Sequence, residues 1–159
     1  MRLFKIIFVA LFATVAMAGC GLFKETAEEK LEKTIDENAG FSVFLTQDAT
    51  EQQKSDLRAW LEKEPGITEV TFEDRATAYA KARQLWTDDP EFLESVDADS
   101  LPETFRLKVK DAATAREIRD GADGAELKAL PGVHRVIFQC TTVSECRELY
   151  SPAAPKPSN

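Results

Sequence analysis

The sequence predicts an α+β fold of the ferredoxin-like type, a split βαβ sandwich. In this fold two βαβ halves form a four-stranded antiparallel sheet, and here a small helical lobe is inserted between them. The phrase "EPGITEVTF" of residues 64–72 returns as "LPGVHRVIF" in residues 130–138, and each copy stops a helical pattern and starts a strand. About 30 residues separate the halves, too many for a structureless loop in a compact domain.

The first strand of each half alternates apolar and polar residues. "FSVFLT" (41–46) places Phe41, Val43 and Leu45 on one face, and "FRLKVK" (105–110) repeats the alternation with charged residues facing out. The strand that follows each Pro-Gly is expected to send alternate residues inward as well. These residues are Val70, Phe72, Val136, Phe138 and Cys140.

The outer face of the predicted sheet is largely polar, with two apolar exceptions. Phe44 and Ile137 lie on strands that this topology makes neighbours, so they form one small apolar patch. We expect residues 141–150, with Tyr150, to fold over the patch, because isolated apolar patches are usually covered. The alternative is an exposed patch.

Each half continues with a helix that stops at Pro-Gly. The spacing predicts a capping box at its start, over Thr50–Gln53 in the first half and Thr114–Glu117 in the second. Gly121 and Gly124 interrupt the second helical pattern. Because glycine inside a helix costs about 1 kcal/mol relative to alanine, we expect a break or loop there.

The insertion, residues 74–104, is predicted to be the helical lobe. "DRATAYAKARQLW" (74–86) has Asp74 as a candidate N-cap, and "DDPEFLESV" (88–96) starts a second short helix with Pro90 in its first turn. The lobe's apolar residues are Tyr79, Leu85, Trp86, Phe92, Leu93 and Val96. A lobe this small cannot bury all six, so we expect some of them to be exposed anchors for a protein partner. The alternative is that they pack against one another and the sheet edge.

The chain begins with the pattern of an export signal. "MRLFKIIFVALFATVAMAGC" joins a basic start to an apolar run that is shorter than the about 20 residues of a membrane span. Its end, "AGC", resembles the lipobox of bacterial lipoproteins, in which the cysteine is lipidated. We therefore expect a signal peptide over residues 1–19, lipidation of Cys20 and an extracytoplasmic, lipid-anchored location on a bacterial membrane. The alternatives are an uncleaved anchor and an ordinary signal peptide with a chance cysteine.

The rest of the chain divides into a tether, one domain and a tail. Residues 20–40 are expected to be the lipidated cysteine and a charged tether, in which Leu31 and Ile35 also allow a short helix. Residues 41–150 are the domain, and the Pro-rich residues 151–159 are expected to be disordered. Without the two basic residues of the signal, 18 basic residues remain against 28 acidic ones, a formal charge of −10 that disfavours nucleic acid.

The residues that carry chemistry are few. Cys140 and Cys146 are expected to form a disulfide outside the cytoplasm, with two free thiols as the alternative. His134 is the only histidine, and no spacing of carboxylates indicates a general acid/base pair. We therefore expect no metal, no cofactor, no small-molecule substrate and no enzymatic activity.

Five phrases in order resemble a known family over residues 41–138: "VFLTQDAT", "EPGITEV", "FEDRATAYAKARQL", "LPETF" and "LPGVHRV". They are similar to the extracellular domain of FtsX, the permease-like subunit of the FtsEX complex of bacterial cell division. The resemblance implies a sheet lobe and a helical lobe that binds a helical segment of a peptidoglycan hydrolase or its activator. The positions that match that binding surface are Leu85, Trp86, Phe92 and Leu93.

One feature departs from FtsX, which has four transmembrane helices where this chain has a lipobox. Coupling to an ATPase through the membrane is therefore not expected. The sequence favours a non-catalytic, membrane-tethered domain that binds a peptidoglycan hydrolase or another envelope or division protein through its helical lobe. The alternative is a small-ligand-binding or sensor lipoprotein that uses the cleft between sheet and lobe. An envelope enzyme would require clustered acids with perturbed pKa values.

Overall fold

The computed structural model describes residues 25–88 and 97–150 of the chain. The chain divides into two units, residues 1–30 and residues 31–159. Of the first, the description reaches only residues 25–30. The predicted signal peptide, Cys20 and the tail 151–159 lie outside the described residues.

Six helices and four strands lie in the described part of the chain. In chain order they are α1 (Ala27–Glu37), β1 (Gly40–Leu45), α2 (Glu51–Lys63), β2 (Ile67–Glu73), α3 (Arg75–Leu85), β3 (Thr104–Val109), α4 (Ala112–Asp120), α5 (Ala122–Ala129), β4 (Val133–Phe138) and α6 (Val143–Tyr150). A short 3-10 helix, Ala98–Ser100, precedes β3.

The strands form one antiparallel sheet in the order β2-β3-β1-β4. The first strand of each half lies at the centre, and the strand that follows each Pro-Gly lies at an edge. This order is that of the split βαβ sandwich, so the predicted fold class is confirmed. Gly66 and Gly132, the glycines of the two Pro-Gly turns, have φ of 91° and 84°, which explains why the phrase keeps glycine in both copies.

The core lies between the sheet and the helices of the two halves. The predicted inward residues of β1 and β3 are all buried, namely Phe41, Val43, Leu45, Phe105, Leu107 and Val109. The edge strands add partly buried residues, and Phe138 of β4 stacks on Phe41 with ring centroids 4.7 Å apart. Leu57 and Leu61 of α2, Ile118 of α4 and Leu127 of α5 close the core from the helix side.

The starts of the two βαβ helices differ from each other. The Thr50–Gln53 capping box is present, with both hydrogen bonds made. The box expected over Thr114–Glu117 is wrong, because α4 begins at Ala112. Its N-cap is Asp111, whose carboxylate accepts from the Thr114 backbone N–H at 2.8 Å. Aspartate caps a helix as well as threonine does, and here it precedes threonine by three residues.

Glycine ends α4 as the sequence indicates, but the segment does not become a loop. Gly121 is both the C-cap of α4 and the N-cap of α5. Gly124 lies inside α5, where a Cβ would stand 2.1 Å from the Ile118 carbonyl oxygen. Gly124 is therefore needed because the two short helices touch at this point.

The segment expected to be mostly a tether contains helix α1, the helix that Leu31 and Ile35 allow. Ile35 packs against the core. Asp36 Oδ1 accepts a hydrogen bond from the Ala112 backbone N–H at 3.1 Å. The segment after Leu31 therefore contacts the start of α4 instead of extending freely.

The C-terminal helix does not cover the Phe44–Ile137 patch, so that expectation is wrong. Thr141 O accepts from Arg116 Nη1 at 2.7 Å, and Glu145 pairs with Arg119 at 3.1 Å. Both arginines belong to α4, so α6 packs on the helix side of the sheet. Ile137 stays 44% exposed on the other side. The Cys140–Cys146 disulfide, with Cα atoms 5.1 Å apart, turns the chain toward α4 directly after β4.

The chain connections of the sheet lie at one end, and helix α3 lies at the other. The chain enters at Gly40 and leaves at Gln139, whose backbone N–H donates to the Gly40 carbonyl at 3.2 Å. Helix α3 follows β2 at the opposite end of the sheet. Within residues 25–88 and 97–150, no helix has the length and apolar character to cross a bilayer.

Candidate functional site

Helix α3 builds the described part of the helical lobe. It starts directly after β2, where Asp74 is the N-cap and its carboxylate accepts from the Thr77 backbone N–H at 2.7 Å. This N-cap was predicted, and it is present. Ala82 is buried, and α3 packs against the 3-10 helix that leads back to the sheet. The segment that leaves the sheet after β2 and the segment that returns to β3 therefore lie next to each other, as an inserted lobe requires.

The carboxylate of Glu73 fastens α3 to the sheet. Glu73, the last residue of β2, is only 4% exposed. It accepts from Arg106 Nε at 3.1 Å and Arg106 Nη2 at 2.9 Å, and also from Lys81 Nζ on α3. The Arg106 hydrogen bonds, helped by Lys81, hold the pKa of the Glu73 carboxyl below its usual range in spite of burial. One buried carboxylate therefore joins β2, β3 and α3.

Two further contacts hold the lobe at the end of the sheet. Arg75 Nη2, in the first turn of α3, donates to the Gln47 carbonyl at 2.6 Å. Lys54 Nζ of α2 pairs with Glu103 Oε2 at 2.6 Å, just before β3. The hydrogen bond with Glu103 raises the pKa of Lys54. The start and the end of the lobe are therefore both tied to the βαβ layer.

The C-terminal end of α3 presents an apolar surface. Leu85 is 77% exposed and Trp86 is 43% exposed, side by side in sequence. Tyr79 is half-buried, so it belongs partly to the packing of the lobe. Phe92, Leu93 and Val96, the other predicted anchors, lie outside the described residues. Leu85 and Trp86 are large apolar groups on a fixed helix, an arrangement suited to desolvating the apolar face of a partner.

The described residues offer little for catalysis. They contain no group of three side chains that would hold a metal ion. Among them, Glu64 is the one carboxyl whose pKa is raised, through burial first and then the charges of Asp123 and Glu126. The pocket beside Glu64 is lined by Asp56, Ala59, Trp60 and Lys63, which include no serine, threonine, cysteine or histidine. Glu64 is the C-cap of α2, and strand β2 runs from there to the start of α3, so the length of this strand separates Glu64 from the lobe.

Sequence reasoning missed the role of Glu73. Its partner Arg106 is 33 residues away, and only the pairing of β2 with β3, which sets Glu73 opposite Thr104 and Thr71 opposite Arg106, brings them together. The sequence gives one weak indication of the Glu73–Lys81 contact: Glu73 immediately precedes the N-cap of α3, and Lys81 follows two helical turns later. That signal gives no indication of burial.

Fold and site together define an α+β module with a helical insertion. The model of the FtsX extracellular domain matches residues 38–149, and the chain belongs to that family. Domains of this family lie outside the cytoplasm, are in general non-enzymatic and take part in protein–protein interactions. The resemblance read from the sequence is confirmed.

One solved structure and the curated proteins give two further comparisons. The chain is similar to Extracellular Domain 1 (ECD1) of FtsX from S. pneumonie, solved in complex with undecyl-maltoside. The TM-score is 0.49 at 16% identity, over 72% of this chain and 98% of that chain. The sequence matches no curated protein.

Proposed function

We propose that this protein is a non-catalytic, membrane-tethered binding domain that captures a peptidoglycan hydrolase or another cell-envelope or division protein through its helical lobe. The observation that carries the proposal is the exposed pair Leu85 and Trp86 at the end of α3. Lipidation of Cys20 provides the anchor in this proposal, as the "AGC" pattern favours.

Three features support the lobe as the binding surface. Family membership supports a role in protein–protein interaction. The exposed pair lies on a helix whose base is held by a buried carboxylate, so a partner meets a pre-positioned surface. The contact is apolar, and an amphipathic helix is the partner element that such a surface suits.

The small-ligand alternative has weaker support. A ligand site needs an enclosed pocket with convergent polar groups. Four cavities lined by described residues have volumes of ≈ 250, 260, 370 and 300 Å³ and are open to solvent, and none of these four is lined by Leu85 or Trp86. We therefore keep the lobe as the proposed site.

The test is capture from envelope membranes with the full chain, tagged after Asn159 and solubilised in mild detergent. Wild type is compared with the double variant Leu85→Ser/Trp86→Ala and with the control Ile137→Ser. Ile137 is as exposed as Trp86, 44% against 43%, but lies on the outer face of the sheet. We expect wild type and the control to retain a hydrolase or its activator, identified by mass spectrometry, and the double variant to lose it.

A double variant that retains the same proteins as wild type would remove the lobe from the proposal. Equal loss in the control and the double variant would show a general effect of surface apolar residues. Circular dichroism of all three proteins establishes that the fold is kept, which is expected because every substituted residue is exposed.

A further inference from the structure

The outer face of the sheet carries an uncovered apolar pocket. Phe44 of β1 is half-buried, and Ile137 of β4 is 44% exposed. Ser42 pairs with Ile137 and Phe44 with Arg135, so Phe44 and Ile137 are diagonal neighbours. With Pro102 they line a pocket of ≈ 260 Å³, and His134 and Arg135 complete its wall.

The charges around this pocket are not balanced. On the β2–β3 half of the same face, cations and carboxylates pair, as Lys108 does with Glu69 at 2.6 Å. The pocket on the β1–β4 half is lined by Arg135 and His134 and by no carboxylate. In a chain of net charge −8, this is an apolar surface whose lining contains the cation Arg135 and no carboxylate. An occupant that carries an aromatic or aliphatic side chain next to a carboxylate fits it.

The chain itself presents such a group. Leu149 and Tyr150, at the end of α6, are 66% and 77% exposed, and Glu148 beside them is exposed as well. They cannot reach the pocket of their own copy, because the disulfide and the α4 contacts hold α6 on the helix side of the sheet. The Phe44–Ile137 pocket and the Leu149–Tyr150 end of α6 are therefore complementary surfaces that lie on opposite faces of the same molecule.

We propose that the α6 end of one copy, Leu149 and Tyr150, docks in the Phe44–Ile137 pocket of a second copy, with Glu148 near Arg135. Tyr150 is the larger of the two apolar side chains and fills the pocket. The two surfaces differ, so the contact is heterologous, and a pair of copies still has one free pocket and one free helix end to which further copies bind. Copies on a membrane then associate in rows or rings. This contact does not involve the lobe.

The test is photo-crosslinking of the full chain in membranes, with two differently tagged copies expressed together. Tyr150→p-benzoylphenylalanine keeps an aromatic ring at the α6 end and attaches to whatever it contacts. We expect a light-dependent product that carries both tags, with the attachment at Phe44, Pro102 or Ile137 of the other copy. The same photo-reactive residue in place of Leu85, equally exposed on the lobe, is the matched control and should give no attachment there.

Charge exchange supplies a second measurement on the same product. Arg135→Glu alone and Glu148→Arg alone should each lower its yield by about threefold, as an exposed ion pair permits, and the two together should restore it. Both residues are exposed, so neither variant disturbs folding. The proposal fails if no product carries both tags, if attachment is within one copy or outside the pocket, or if single and double charge variants behave alike.

Discussion

At the scale of single residues, Glu73 combines burial with charge at the junction of the two lobes. A buried carboxylate is stable only when its lone pairs are satisfied, and here one arginine and one lysine from two different elements do so. Both cations are half-exposed on their outer sides. The orientation of α3 on the sheet therefore depends on a single acidic side chain.

We expect Glu73→Gln to lower the free energy of unfolding by about 1–3 kcal/mol at neutral pH. The amide has one acceptor oxygen, so its NH2 group faces a cationic donor where the second carboxylate oxygen accepts in wild type. Amide hydrogen exchange of residues 75–85 should accelerate by about tenfold, while the central strands β1 and β3 change less. The matched control is Glu69→Gln, which breaks the exposed pair with Lys108 and should cost less than about 1 kcal/mol. Equal acceleration of exchange in the lobe and the core strands would contradict a local role for Glu73.

At the scale of elements, helix α6 depends on covalent and polar contacts more than on burial. Its buried residue is Val143, and Leu149 and Tyr150 point to solvent. The Cys140–Cys146 disulfide and the Arg119–Glu145 pair fix its start. Loss of the disulfide should therefore act on α6 first.

We expect the double variant Cys140→Ser/Cys146→Ser to keep the sheet and to lose about 2 kcal/mol in urea unfolding, as the chain-entropy model gives for a short loop. Hydrogen exchange should rise in residues 143–150 and stay unchanged in β1 and β3. The control is wild type under a reducing agent, which should reproduce the variant. Protection of residues 143–150 that survives both treatments would show that side-chain packing holds α6.

The sequence predicts the regular elements well and their polar junctions poorly. Alternation in β1 and β3, the Thr50 cap and the Pro-Gly turns follow from local spacing, so the split βαβ fold could be read from the chain. The place of α6 could not, because it depends on Arg116 and Arg119 meeting residues about 25 positions away. The number of large apolar residues in the small lobe predicts that some of them, such as Leu85 and Trp86, are exposed. The contacts of Glu73 cannot be predicted without the register between β2 and β3.

At the scale of the whole molecule, the chain is acidic and its carboxylates are stabilised in the folded state. Hydrogen bonds to backbone and side-chain donors, or to cations, lower the pKa of seven described carboxyls: Glu29, Glu69, Glu73, Asp74, Asp111, Asp120 and Glu145. Glu64 is shifted the other way. Because more carboxyls have a lowered pKa than a raised one, the stability of the folded protein should fall as the pH falls.

We expect the protein to lose stability as the pH falls below about 4.5, the region where unfolded carboxyls bind protons. A lowered folded pKa means that the unfolded chain takes up more protons in this range, so acid favours unfolding. The urea midpoint should be lower at pH 3 than at pH 7, and Glu73→Gln should show a smaller difference than wild type. A midpoint that does not change between the two pH values would contradict the lowered pKa values.

The meeting of Gly40 and Gln139 at one end of the sheet has a consequence for how this domain is inherited. A domain whose two connections are hydrogen-bonded neighbours can be joined to another chain at a single point, together with α1 and α6, which contact α4. Recombination can place it within a loop of a larger protein or behind an export leader, and the surrounding chain needs no rearrangement. The helical lobe lies at the other end of the sheet, away from both connections. What carries the domain can therefore change without a change in the structure of the lobe.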